Sequence, residues 1–295
     1  MPSVGANGIK LFYEVRGDDD GVALLLINGL GSQLTSWDEA FLDALVDRGF
    51  RVIIFDNRDV GLSSWMAGGG SDVGTAIVTA LAGGEVGAPY LLSDMAGDAA
   101  ALLDALSIEA AHVVGVSMGG MIAQTLAIEH PTRVRSLTSI MSMSGDADVG
   151  APSPEAVASL LRTPATNRAE AIAAYVETWR VIGTPEAFDE EALGAKGAAA
   201  HDRAFNPAGT ARQLLAILAS GSRAEGLRAL DVPTLVIHGS SDPLVDISGG
   251  RRTAELVSGA TFVEIDGMAH DLPPNSRTRV IDEITRHAAA AAAAV

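Results

Sequence analysis

Apolar positions follow two rhythms along the chain. Short, nearly uninterrupted apolar runs at residues 22–27, 51–55, 112–116, 134–141, 233–238 and 261–265 read as strands; those at 22–27, 51–55 and 112–116 have the β-branched and aliphatic content of strands buried on both faces. Residues 9–15 instead alternate and end at Arg16-Gly17-Asp18, the pattern of an outer strand running into a turn. Between the runs, apolar side chains recur at three- and four-residue spacing. Trp37, Phe41, Leu42 and Leu45 predict a helix over 36–48, closed by Gly49. Met95, Ala99, Leu102, Leu103 and Leu106 predict a second, capped by Ser93 or Asp94. Met121, Ile122, Thr125, Leu126 and Ile128 predict a third that Pro131 stops. Helices are also expected near 250–257 and from 275, with the terminal alanine run extending or fraying the last one.

Strands alternating with helices at both ends of the chain predict an α/β fold with a mostly parallel central sheet covered on both faces. From 145 to 228 the strand signals stop. Alanine-rich helical segments there alternate with Pro152, Pro154, Pro164, Pro185 and Pro207. The expected organisation is a core domain of residues 1–144 and 229–295, interrupted by a helical insertion at 145–228. Residues 65–90 are weakly patterned, and Gly68-Gly69-Gly70 reads as a flexible loop, because no lysine follows as a phosphate-binding loop would need.

Composition narrows the function classes. Apolar residues make up 48% of the 295, so the chain is globular, and no apolar stretch approaches the length of a membrane span. The N-terminus lacks the basic start and apolar run of a signal peptide, so the expectation is a soluble, cytoplasmic protein. Twenty basic against thirty-seven acidic residues give −17, which opposes binding nucleic acid or anionic lipid through a basic surface. The absence of cysteine removes disulfides, thiolate metal sites and a cysteine nucleophile. No two histidines stand three or four apart, so no metal site is expected. Asp18-Asp19-Asp20-Gly21 lacks the spacing of a calcium loop. The loop 28–33 lacks the third glycine of a dinucleotide-binding turn, and no cofactor is expected.

Chemistry gathers where strands end. Gly115-x-Ser117-x-Gly119 stands between the run at 112–116 and a helical pattern, the strand–turn–helix setting in which a serine sits on a tight turn with its hydroxyl clear of the backbone. Free N–H groups and the positive end of a helix dipole would then face that hydroxyl. Asp242 follows the run ending at Ile237, and His270 follows the run ending at Ile265. Asp246 and Asp146 are rival acids. Asp271, next to His270, is poorly directed to hold the neighbouring ring. Asp56 and Arg58 are expected to tie loops together, and Trp37, Trp65, Phe188 and Trp179 to pack in the core. His112 and His238 are expected to be buried or strand-end residues, and His130, His201 and His287 helical surface ones.

The order Ser117…Asp242…His270, with the stretches 56–63 and 114–120, resembles the α/β-hydrolase superfamily over residues 9–287. It is most similar to the bacterial serine carboxylesterase and lipase branch, which includes methylesterases acting on anthracyclines. The resemblance implies the α/β-hydrolase fold, with the helical insertion as a cap, and hydrolysis of a carboxylic ester through an acyl-enzyme. Ser117 would be the nucleophile, His270 its base, and Asp242 the acid that orients the imidazole. The backbone N–H groups of Leu30 and Met118 would form the oxyanion hole. Asn28-Gly29 stands where this family usually has His-Gly. The alternatives are acyl transfer or cofactor-free perhydrolysis with the same three residues, or a non-catalytic ligand-binding homologue. The apolar residues of the insertion (Leu160, Leu161, Ile172, Tyr175, Val176, Trp179, Leu214, Leu215, Ile217 and Leu218) predict an apolar pocket over Ser117 and a small, hydrophobic ester as partner.

Overall fold

The computed structural model describes residues 2–68 and 72–293. The glycine loop therefore lies mostly outside the described residues. Eight strands form one sheet: β1 (Ser3–Ala6), β2 (Ile9–Arg16), β3 (Val22–Ile27), β4 (Phe50–Phe55), β5 (Ala111–Val116), β6 (Val134–Ile140), β7 (Thr234–Gly239) and β8 (Thr261–Ile265). Their order is β1-β2-β4-β3-β5-β6-β7-β8. β1 and β2 pair antiparallel, as do β2 and β4, and every later pairing is parallel. β1 is too short and too polar to have registered as an apolar run.

The uninterrupted apolar runs are explained by two cores, one on each face. Alternate residues of β3 serve opposite sides: Leu25 and Ile27 pack with β4 residues Ile53 and Phe55 beneath α3 (Leu92–Ala105) and α4 (Met118–Glu129). Leu24 and Leu26 pack with Val52 and Ile54 beneath α1 (Glu39–Val46) and the terminal helix (Pro274–Ala293). A strand with both faces covered cannot alternate with polar residues. The alanine run continues that terminal helix as far as Ala293, with Ala288 and Ala291 buried.

Two helix starts, one further helix and one side chain differ from the periodicity. The first helix begins at Glu39, not residue 36: Leu34–Ser36 is a 3-10 turn, and the Asp38 carboxylate caps Ala40 and Phe41 N–H. Trp37 lies outside the helix yet stacks on Phe41, so its spacing mimicked a helical position. Within the weak stretch, α2 (Val73–Leu81) forms behind an Asp72 cap. α3 starts at Leu92 rather than after Ser93 or Asp94, and Asp94 contributes by accepting the Leu91 N–H. Trp65 is 52% exposed instead of packed in the core, its indole N–H donating to the Gly61 carbonyl.

Between β6 and β7 the chain is helical: α5 (Pro154–Leu160), α6 (Arg168–Ile182), α7 (Glu190–Arg203), α8 (Pro207–Ser220) and α9 (Ala224–Arg228). α10 (Ile247–Leu256) and the terminal helix α11 complete the chain. Among the described residues no helix is long and apolar enough to cross a membrane.

α7 and α8 are bound to the loop that follows β4. Arg212 grips the buried Asp59 carboxylate through two N–H groups at 2.8 and 2.7 Å, and the Tyr90 hydroxyl donates to the same group. Burial and the Asp59 charge push the Tyr90 phenol well above its ordinary range. Arg203 donates to Asp56, which also accepts the N–H groups of Leu34 and Leu62. Arg58 pairs with Asp98 inside the core at 2.7 Å. Asp56 and Arg58 thus join loops to helices.

Candidate functional site

β3 and β5 are neighbours, aligned Leu24 with His112 and Ile27 with Gly115. The chain leaves β3 toward one edge of the sheet, by way of β4, and returns with β5 on the other side. That reversal opens a crevice at the carboxyl ends of β3 and β5. Two loops meet in it, 28–33 after β3 and the turn at Ser117 after β5.

The Ser117 turn is strained by design of its surroundings. Its φ of 55° and ψ of −122° place an L-residue where side chains are costly. Close packing around it explains the flanking glycines: a Cβ on Gly115 would overlap the Gly119 carbonyl, and one on Gly119 would overlap the Ile27 carbonyl. The Ser117 N–H donates to the Ile140 carbonyl at 2.9 Å, while its own carbonyl accepts from Gly120 and Met121. α4 therefore starts directly at Met118, three residues before its apolar periodicity becomes visible.

Asp242 and His270 come from the loops after β7 and β8, adjacent strands on the far side of β6. His270 Nε2 lies 2.9 Å from Ser117 Oγ, and its Nδ1 lies 2.7 Å from Asp242 Oδ2. A carboxylate only accepts, so Nδ1 carries the proton and Nε2 is left to accept the serine hydrogen. Asp242 is buried; its other oxygen accepts the N–H groups of Leu244 and Val245, both at 2.9 Å. Burial alone would push this carboxyl up. Its interaction with His270, the neighbouring His238 ring and the Val245 N–H outweigh it and hold the carboxyl well below the usual carboxylate range.

The rival acids stand elsewhere. Asp246 caps α10, and Asp146 is held by Ser144, Ser222 and Arg252. Asp271 turns away from the ring beside it and accepts the N–H and hydroxyl of Thr184. Burial pushes its carboxyl up, against those two hydrogen bonds. Thr184, just past α6, also takes the Ala269 N–H on its Oγ1, while the His270 N–H donates to Ile182. The helical segment thus grips the backbone on both sides of His270.

Loop 28–33 lies against the serine. A Cβ on Gly29 would come 3.3 Å from Ser117 Cβ and 3.7 Å from its Oγ. The Ser32 N–H closes a turn onto the Gly29 carbonyl. Among the described residues, neither the Leu30 N–H nor the Met118 N–H donates to a protein acceptor. Met118 opens α4, where the first N–H groups have no intrahelical partner. Asn28 points away from this role, donating to the Gln33 carbonyl, and its own carbonyl accepts from Asn57.

Three contributors escaped the periodicity. Gln33 donates to the Ala200 carbonyl of α7 and to that of Ala204 just past its end, and Gln213 of α8 accepts the Gly31 N–H at 2.8 Å. His238, read only as a buried strand-end histidine, donates from Nε2 to the Val245 carbonyl at 2.8 Å and stands 3.5 Å from Asp242. A polar residue inside an apolar run marks His238, whereas Gln33 and Gln213 act through tertiary contacts that carry no local signal. Among the described residues, no cluster of three or more His, Cys, Asp or Glu side chains is arranged to hold a metal.

The sequence profile of the alpha/beta hydrolase fold matches residues 22–274. A rhodomycin D methylesterase from Streptomyces peucetius is 31% identical over 287 residues, covering 90% of each chain. A 3-oxoadipate enol-lactonase from Acinetobacter baylyi is 28% identical, over 87% of this chain and 85% of the relative. Among solved structures, the enol-lactonase from Burkholderia xenovorans superimposes with a TM-score of 0.74 at 24% identity, over 97% of this chain and 99% of that one. The chain belongs to the alpha/beta hydrolase fold family, with the α/β architecture expected from its strand and helix pattern.

Proposed function

We propose that the protein is a serine hydrolase that cleaves carboxylic esters through an acyl-enzyme. The observation that carries this reading is the continuous chain of contacts from Asp242 through His270 to the Ser117 hydroxyl. His270 Nε2 takes the hydroxyl proton as Ser117 Oγ attacks the ester carbonyl. The tetrahedral oxyanion then collapses, the C–O bond to the alcohol breaks, and the imidazolium returns its proton to the leaving alkoxide. Water repeats the sequence on the acyl-enzyme, releasing the acid and restoring Ser117. Asp242 keeps the imidazole in the accepting tautomer and stabilises its charged form. The Leu30 and Met118 N–H groups bind the oxyanion; losing one such donor costs on the order of 3 kcal/mol in the transition state.

Residues 145–228 serve as a cap on a core of 1–144 and 229–295, and the substrate is a small hydrophobic ester. The 31% identity to a methylesterase supports an ester with a small alcohol part. Labelling with a fluorophosphonate tests the reading: wild type becomes covalently modified at Ser117 and Ser117→Ala does not. Equal labelling of both, or no turnover of any p-nitrophenyl ester, would refute it.

A further inference from the structure

We infer that Gln213 is a positioning residue for the oxyanion donor on Leu30, set from the helical segment rather than from the core. The inference rests on the hydrolase reading above. The turn from Gly29 to Ser32 presents two adjacent N–H groups at its centre, those of Leu30 and Gly31. Either could face an oxyanion, and the peptide planes of such a turn can rotate to exchange them. Gln213 removes the ambiguity. Its Oε1 accepts the Gly31 N–H at 2.8 Å, and its Nε2 donates to the Arg58 carbonyl at 2.8 Å. Both ends of the amide are thereby used, so the side chain cannot turn over without losing two hydrogen bonds in a fully buried site.

α8 adds a steric constraint from the same face. A Cβ on Gly31, whose φ is +66°, would come 3.0 Å from Thr210 Oγ1, so this backbone is seated against the helix one turn before Gln213. Next to Gln213, Arg212 fixes α8 to Asp59. With the Gly31 N–H taken by the glutamine and Gly29 held against Ser117, the Leu30 N–H is the one left free at the serine. Gln213 touches no reacting atom; it selects which backbone donor does.

The test uses the full chain, p-nitrophenyl acetate as substrate and a trifluoromethyl ketone as a mimic of the tetrahedral adduct. Gln213→Met keeps the length but offers no acceptor to Gly31. The expected result is a fall in kcat of about 10- to 100-fold with KM nearly unchanged, and a matching loss of affinity for the ketone. Gln213→Glu is the conservative variant. When its carboxyl is protonated it again accepts from Gly31 and donates to Arg58; when ionised it faces the Arg58 carbonyl with a charge. Because either form accepts from Gly31, its kcat and its ketone affinity are expected to lie above those of the Met variant and within about tenfold of wild type. If the Met variant fails to fold, Gln213→Asn, whose shorter amide does not reach Gly31, takes its place. A Met variant with wild-type kcat, unchanged ketone affinity, or a glutamate variant no better than the Met variant would each overturn the inference. Failure of wild type to be labelled at Ser117 would overturn the hydrolase reading itself, and that is read before any Gln213 variant is made.

Discussion

Replacing Asp242 by Asn separates the electrostatic and packing roles of this side chain. The amide is nearly isosteric, and its oxygen can still accept from Leu244 and Val245. Its nitrogen then faces His270 Nδ1, which lies 2.7 Å from Oδ2 in the native chain. A donor at that place forces Nδ1 to accept, which moves the imidazole proton to Nε2. The ring then presents a hydrogen to the Ser117 hydroxyl instead of a lone pair. The expected loss is ~10⁴-fold in kcat, about 5 kcal/mol of barrier, with KM little changed. Stability carries a second signature. The native carboxyl is held below its unfolded value, so it contributes stability above that value of about 3.9, and the contribution fades as pH falls through the depressed folded value. The variant is therefore expected to be less stable than wild type at neutral pH, with the gap closing in strong acid. Urea unfolding of both proteins between neutral pH and about pH 3, beside steady-state kinetics on p-nitrophenyl acetate, reads both effects. A variant within tenfold of wild type in kcat would show that Asp242 does not set the tautomer.

Ser117→Gly and Ser117→Ala are both expected to abolish ester turnover, but only glycine relieves the strain at φ 55°; Ser117→Gly is expected to unfold at higher urea than Ser117→Ala, by about 1 kcal/mol, and equal midpoints would contradict stored strain at the turn. Gly119→Ala places a methyl group onto the Ile27 carbonyl and is expected to cost about 3 kcal/mol or more, seen as a large drop in Tm; a change of a few tenths would mean that the strand and helix can separate freely. Asp98→Ala leaves the Arg58 guanidinium buried without its carboxylate, and about 3 kcal/mol of destabilisation is expected from denaturant titration. Burial, with Arg135 and His287 nearby, pushes the His112 imidazole down to about 4. The folded chain then resists a proton that the unfolded chain accepts below about pH 6.5, so stability is full above that pH and falls by about 3 kcal/mol as pH drops through 4. His112→Phe is expected to flatten the slope over this window, and an unchanged slope would assign it to other groups.

The legible parts of the fold were those in which one local rule decides the outcome. β3 and β8 lie at the predicted residues, 22–27 and 261–265, because an apolar run bounded by turn residues has few other uses. The start of α1 was misplaced because Trp37 stacks on Phe41 from outside the helix and counterfeits its periodicity. β1 was missed because a four-residue edge strand carries no periodic signal, and α2 because its sequence lies in a stretch of weak pattern. At the site, residues following a strand could be named from sequence: Ser117, Asp242 and His270 lie in loops after β5, β7 and β8, and the structure brings both Ser117 and Asp242 within hydrogen-bond distance of His270. Gln33, Thr184 and Gln213 could not. Each works by reaching across between the helical segment and a core loop, a relation set by tertiary packing and not by neighbours in the chain.

Those cross-links bear on how the helical segment acts. Thr184 and Ile182 hold the backbone around His270, while Gln213, Thr210 and Gln33 hold the loop that carries the Leu30 N–H. One segment thus touches His270, the proposed base, from one side and Leu30, the proposed oxyanion donor, from the other. A rigid-body swing of all five helices would break both sets of bonds together and dismantle the site it uncovers. Motion that admits substrate must then be confined to parts without such bonds. The groove between α6 and α7 is one such part: of about 530 Å³ and lined by Ile172, Val176, Arg180 and Glu190 among others, it includes none of the residues that bind the core loops. A cross-link that tied α6 to α7 across this groove would therefore leave turnover of p-nitrophenyl acetate intact if the two helices stay together during access, and would slow it if they must part. Hydrogen exchange distinguishes the same cases without a variant, since amides of α8 near Gln213 are expected to outlast those of α6 near Ile172. Faster exchange in α8 than in α6 would show that the anchored half is the part that opens.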